Sequence, residues 1–218
     1  AAEVTFCGHA TIATAVLLGE TDGDGTYRLT TTVGVVPVAV GVQDGQRIAA
    51  LTSVEPTHEP ASTALVAEVI GLLGWIPDDL DPAIPPARAY AGAWHLVLAA
   101  RRQRRLDTLD YDFDRMRAVM LAADLTTVQL VWRERPDLFH SRNPFAVGGV
   151  VEDPATGAAA AALGGYLRAA RLVQAPATIL IRQGEAMGRP SRLTVEIPAA
   201  GGIIVSGAAV RLPAPSRP

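Results

Sequence analysis

"VTFCGHATIATAVLLG" (residues 4–19) reads as the end of a strand running into an apolar helix, with Cys7-Gly8-His9 at the joint. A helix start leaves its first backbone N–H groups without intrahelical partners, so polar residues placed there face whatever the helix points at. The same order of parts returns in "GVVEDPATGAAAAALGGYL" (residues 149–167): a β-rich run, a polar turn residue, then a helix of small apolar residues. Here the turn residue is Asp153, Pro154 takes a favoured first-turn position, and Asp153 or Thr156 can cap the helix. Gly157 lets the backbone approach a ligand closely. A helix that is apolar nearly all round is a buried helix. One such helix in each half predicts two lobes, each a barrel-like sheet around a central helix. Both helix entrances would then face one cleft, where their dipoles attract a carboxylate. Taken singly, each feature has an ordinary reading: an N-cap, a hydrogen-bonding histidine, a small buried cysteine. Their recurrence in both halves is what favours a site.

The composition narrows the chemistry. The 218 residues are 49% hydrophobic with a net charge of −3, enough for a sizeable core and without a basic field for nucleic acid or anionic membrane. No apolar stretch is long enough to span a bilayer and no signal-peptide pattern is present. The single cysteine, Cys7, allows no internal disulfide and suits a reducing compartment, so a cytoplasmic protein is expected. Every basic residue is arginine. Without a lysine there can be no Schiff-base or pyridoxal-phosphate chemistry and no Walker A loop. The four histidines (His9, His58, His95, His140) have no zinc-site spacing, and no Gly-x-Gly-x-x-Gly opens a strand–helix unit. The expected chemistry uses side chains alone, with no cofactor.

Along the chain, Tyr27–Thr32, Val35–Val42 and Arg47–Thr52 read as strands separated by turn pieces such as Gln43-Asp44-Gly45. Ser62–Leu73 reads as a helix capped by Ser62 or Thr63. The proline-rich run Trp75–Arg88 is the best candidate for a linker, giving lobes over residues 1–82 and 83–218. Beyond it come a strand at Ala89–Ala100, a helix at Phe113–Leu125, a strand at Thr127–Trp132 and the helix Ala155–Arg171. Strands at Thr178–Arg182, Arg192–Ile197 and Ile203–Leu212 follow. Isolated helices among more numerous strands predict an α+β fold with antiparallel or mixed sheets. His95 reads as a core or interlobe residue, Arg142, Gln183 and Arg189 as loop ties that could reach the cleft, and Arg101–Arg105 as a solvated turn.

"FCGHAT", "EDPATGAAAAAL" and "QGEAMGRPSRLTVE" (residues 183–196), in that order and spacing, resemble the phenazine-biosynthesis PhzF-like family of the diaminopimelate epimerase-like superfamily. "SRNPFAVGGV" (residues 141–150) resembles the segment that precedes the family's Glu-Asp-Pro motif. The resemblance implies two lobes, each a sheet curled around a central helix, and a cofactor-free site between them. It implies acid–base isomerisation or epimerisation of a small carboxylated molecule, and a homodimer. By motif match, His9 and Asp153 are the catalytic side chains, and Cys7, Gly8, Thr156, Gly157 and Ala158 contact the substrate. The match departs from the family at two places. The family's principal proton carrier, a glutamate in a Ser-Glu-Thr-like segment well before the Gly-His motif, has no counterpart here, because Glu3 stands too close to His9. An upstream segment carrying it is therefore expected. Ala158 stands where serine usually follows Thr-Gly. Cys-Gly-His also resembles the first motif of proline racemases, but no second cysteine stands near Ala155, so Cys7 is read as a packing residue rather than a base. The alternative reading is a catalytically impaired homologue that binds a small carboxylate or serves as a dimerising scaffold.

Overall fold

The computed structural model describes residues 8–31, 34–43 and 45–209. Helix α1 (Gly8–Asp22) leads into the antiparallel strands β1 (Gly25–Thr31), β2 (Gly34–Gln43) and β3 (Gln46–Thr52). After β4 (Thr57–Pro60) come α2 (Thr63–Leu72), β5 (Ala87–Tyr90) and β6 (Trp94–Ala99), then the short α3 (Arg104–Asp107) and α4 (Phe113–Ala122). The remainder is β7 (Thr127–Arg135), β8 (Leu138–Phe145), β9 (Val150–Asp153), α5 (Gly157–Ala169), β10 (Ala177–Gln183), β11 (Ser191–Ile197) and β12 (Ile204–Ala208).

The strands form one mixed, mostly antiparallel sheet in the order β1-β2-β3-β12-β11-β10-β8-β7-β6-β5-β4, with β9 added on β8. Among the described residues only β6–β7 and β8–β10 run parallel. Helix α5 touches β12 and β11 and also β6, β5 and β4. Laid flat, β12 and β4 would stand roughly 34 Å apart at the usual strand spacing, about three times a helix diameter. The sheet must therefore curl around α5. Its inner face supplies Val97, Val131, Phe139, Ile179, Ile181 and Val195 to the core that encloses the helix. Outside the same strands, α2 and α4 cover a second apolar cluster built on Leu96, Leu98, Leu130, Met116 and Met120. Helix α1 lies on β1, β2, β3 and β12, its Ile12, Ala15 and Val16 packed against Val36, Val38, Val40, Ala49 and Leu51. The α+β class with a mixed, mostly antiparallel sheet is the architecture found, the sheet curling around α5.

Several local expectations need correction. Ala89–Ala100 is two strands, because Gly92 at φ +107° turns the chain between Tyr90 and Trp94, a conformation without a Cβ clash. β4 and β8 carry too many polar residues to show an alternating apolar pattern, whereas β9 is the β-rich run expected before Asp153. Of the basic run, Arg104 and Arg105 belong to α3, and Arg105 is tied to Asp79 at 2.7 Å. The proline-rich run Trp75–Arg88, where the lobe boundary is expected, holds buried Trp75 and Ile84, and Tyr166 of α5 donates to the Pro85 carbonyl at 2.6 Å. Ser62 caps α2 as expected, accepting from the Leu65 amide at 3.2 Å. Among the described residues no helix is long and apolar enough to cross a membrane.

Candidate active site

The site builds outward from the turn between β9 and α5. Pairing of Asn143 with Asp153 and Pro144 with Glu152 brings the Glu-Asp pair to the end of the barrel, where both side chains are buried. Neighbours on a strand point to opposite faces, and the two acids accordingly have different partners. Glu152 takes Arg142 in a two-pronged ion pair, with Nε to Oε1 at 3.0 Å and Nη2 to Oε2 at 2.6 Å. Arg142 spends a further donor on the Leu106 carbonyl at 3.0 Å. Tyr111 donates to the Val151 carbonyl, and burial, with the Glu152 charge second, pushes its hydroxyl up to about 12. These contacts brace β9.

Asp153 is held differently. The Thr156 hydroxyl donates to Asp153 Oδ2 at 2.7 Å and accepts from Gln183 Nε2 at 2.9 Å. Gln183 also donates to the Asp153 carbonyl at 2.7 Å, while its Oε1 accepts from the Thr156 amide at 3.2 Å. Because the Gln183 amide nitrogen can only donate, the Thr156 proton is directed at the carboxylate. Thr156 is thus not the side-chain cap it reads as; its hydroxyl turns back on Asp153. Gln183 is 2% exposed, so an unpaired polar atom there would be costly. The sequence reading leaves Gln183 as a loop tie; its place beside the Glu-Asp-Pro turn follows from the parallel β8–β10 pairing, which local sequence does not show. Gly184, next along, admits no side chain, since a Cβ would stand 2.3 Å from the Arg189 carbonyl oxygen and 2.8 Å from that of Pro154. Arg189 itself is exposed, and its amide closes this turn on the Gly184 carbonyl at 3.0 Å.

The two helix entrances meet. A Cβ on Gly8 would lie 3.3 Å from Gly157 Cα and 3.4 Å from the Ala158 nitrogen. Both positions are glycine where two first turns abut. The i→i−4 ladder of α5 begins with the Ala160 amide on the Thr156 carbonyl, so the amides of Gly157, Ala158 and Ala159 have no acceptor within the helix. Each helix start carries roughly half a positive charge. Two such ends about 4 Å apart repel by about 1 kcal/mol at an effective dielectric of about 20, a cost that a negative charge beside them reverses. The Asp153 carboxylate is one such charge, and a bound carboxylate would be another. His9 follows Gly8 in the first turn of α1; its side chain, and Cys7 altogether, lie outside the described residues. The described residues gather no cluster of three or more metal-ligating side chains.

The chain belongs to the phenazine biosynthesis-like protein family, PhzC-PhzF, whose sequence profile matches residues 1–213. It is 34% identical over 202 residues to trans-2,3-dihydro-3-hydroxyanthranilate isomerase of Pseudomonas aeruginosa, covering 91% of this chain and 68% of that one. It is 26% identical over 209 residues to an uncharacterized isomerase of Bacillus subtilis, covering 92% and 70%. Its fold superposes on a PhzF-family protein of Bacillus anthracis with a TM-score of 0.82 at 20% identity, covering 97% and 75% of the two chains. A predicted epimerase from Pseudomonas aeruginosa gives 0.81 at 23%, covering 97% and 76%.

Proposed function

We propose that this protein is a cofactor-independent isomerase or epimerase that moves a proton on a small carboxylated metabolite held beside the junction of the two helix entrances. The observation that carries this reading is the abutment of Gly8 and Gly157, which sets two positive helix ends and the Asp153 carboxylate around one point. The substrate carboxylate sits against the first-turn amides of Gly8, Gly157 and Ala158, with Cys7 and Thr156 completing the contacts. Asp153 and His9 act as the acid–base pair, one taking the proton from carbon and the other returning it. The lobes are residues 1–82 and 83–218, and the working form is a cytoplasmic homodimer. The relative named for trans-2,3-dihydro-3-hydroxyanthranilate supplies the first substrate to try.

Steady-state kinetics on that compound test the reading. Asp153→Asn keeps the size of the side chain and removes its charge, and His9→Asn removes a titratable ring. Each is expected to lower kcat by roughly 100- to 10,000-fold, the usual worth of one acid–base group. Binding without turnover by the unaltered protein would instead establish a carboxylate-binding homologue.

A further inference from the structure

A cavity of about 300 Å³ opens where α3, β8, β9 and β10 meet, at the lower end of the volumes that hold small molecules. Asp153 does not line it, but Gln183 and Gly184, which hold the Asp153 turn, do. Its charged wall consists of Asp107, His140, Arg142, Glu152, Arg182 and Glu185. Most of these charges are already matched. Arg142 and Glu152 neutralise each other. His140 lies against Trp132, with Nε2 2.7 Å from Glu134 Oε2 and Nδ1 3.6 Å from Glu185 Oε2.

Arg182 has no hydrogen-bonded partner among them, although its charge, after the His140 hydrogen bond, helps hold the Glu134 carboxyl below the usual carboxylate range. On β10 it stands between Ile181 and Gln183, which point into the barrel, so its side chain leaves by the outer face. Its Nε is buried without a hydrogen-bond partner, an expensive arrangement for a guanidinium facing a cavity. With the internal pairs set aside, the wall offers one guanidinium, the Asp107 carboxylate on the exposed rim, and Glu185, held by nothing closer than the 3.6 Å contact to His140. A simple anion drawn to Arg182 would meet two carboxylates, and a simple cation would meet Arg182. The complementary solute carries both charges.

We propose that this outer cavity binds a free amino acid, with its carboxylate on Arg182 and its ammonium group between Asp107 and Glu185. The site adjoins the α5 entrance through Gln183 and Gly184, and it stands whether or not the helix entrances catalyse.

The test is an NMR titration of the isotopically labelled whole chain, at fixed pH, following the His140 ring resonances. The three probes are L-alanine, propionate (the same skeleton without the ammonium) and ethylamine (without the carboxylate). L-Alanine is expected to shift the His140 signals saturably and to bind at least about tenfold more tightly than either half-probe. Arg182→Gln is expected to weaken L-alanine binding by about tenfold or more, and Asp107→Asn, on the exposed rim and harmless to folding, by a smaller factor. The proposal is overturned if L-alanine leaves the His140 signals unmoved at millimolar concentrations, or if propionate binds as tightly as L-alanine. It also fails if Asp107→Asn and a folded Arg182→Gln both leave L-alanine binding unchanged.

Discussion

Helices α1 and α5 open with the same grammar and end in different surroundings. Every residue of α5 from Gly157 to Leu167 is buried, because the sheet closes on it from β12 round to β4. α1 buries a stripe, Gly8, Thr11 and Ile12, Ala15 and Val16, then Gly19, while Thr14 and Leu17 are exposed among the described residues. Apolar composition is thus common to a helix enclosed by a sheet and to one lying on a sheet. The difference lies in strand pairing over long sequence separations. The rigidity of the α5 entrance follows from it: Asp153 is gripped by a helix, a strand and a glutamine from three parts of the chain, all inside a closed wall.

The largest expected effect bears on that wall. Glu152→Ala leaves Arg142 buried without its partner and should cost about 3–5 kcal/mol in urea unfolding. A loss below about 1 kcal/mol would mean the α5 entrance does not depend on its bracing pair. The comparison of helices is sharpened next by two leucines. Leu163, fully buried in α5, should lose about 2–5 kcal/mol on truncation to alanine. Leu17, 47% exposed on α1, should lose no more than about 0.5 kcal/mol. Equal losses would show that α1 is as enclosed as α5.

A smaller effect concerns acid. His95 inside the barrel hydrogen-bonds Thr127 through Nδ1 at 2.8 Å, and burial pushes its ring down to about 3. Between that value and the ordinary 6.5 the unfolded chain binds a proton that the folded chain refuses. Stability therefore falls as pH falls through this window, by about 1.4 kcal/mol per unit from this residue, or about 2 kcal/mol by pH 5. Above pH 6.5 the residue adds no pH dependence. Unfolding curves of His95→Gln at pH 7 and pH 5 should lack this share of the acid loss; an unchanged slope would place the titration elsewhere.

Much of this architecture was legible in residues. The alternation in Thr178–Arg182 and Arg192–Ile197, the Ser62 cap and the two small-residue helices carried the fold class. The Glu-Asp-Pro-Ala-Thr-Gly run marked the turn that holds Asp153. The division of labour between Glu152 and Asp153 was not legible, because it depends on which face of β9 meets Arg142. Gln183 was ambiguous for the same kind of reason: its register against Ser141 is set by a parallel pairing across more than forty intervening residues. β8 shows no strand pattern in the sequence because it is buried on both faces yet polar, with Asn143 donating to Ser141 and accepting from Thr127.

The central claim is that the paired helix entrances move a proton on a carboxylated substrate. The direct measurement is proton NMR of trans-2,3-dihydro-3-hydroxyanthranilate incubated with the protein in deuterium oxide. The account predicts isomerisation with solvent deuterium entering at a single carbon, and loss of that incorporation in Asp153→Asn. Turnover with deuterium uptake undiminished in Asp153→Asn would contradict it, because the proton would then travel by a route that does not pass the α5 entrance.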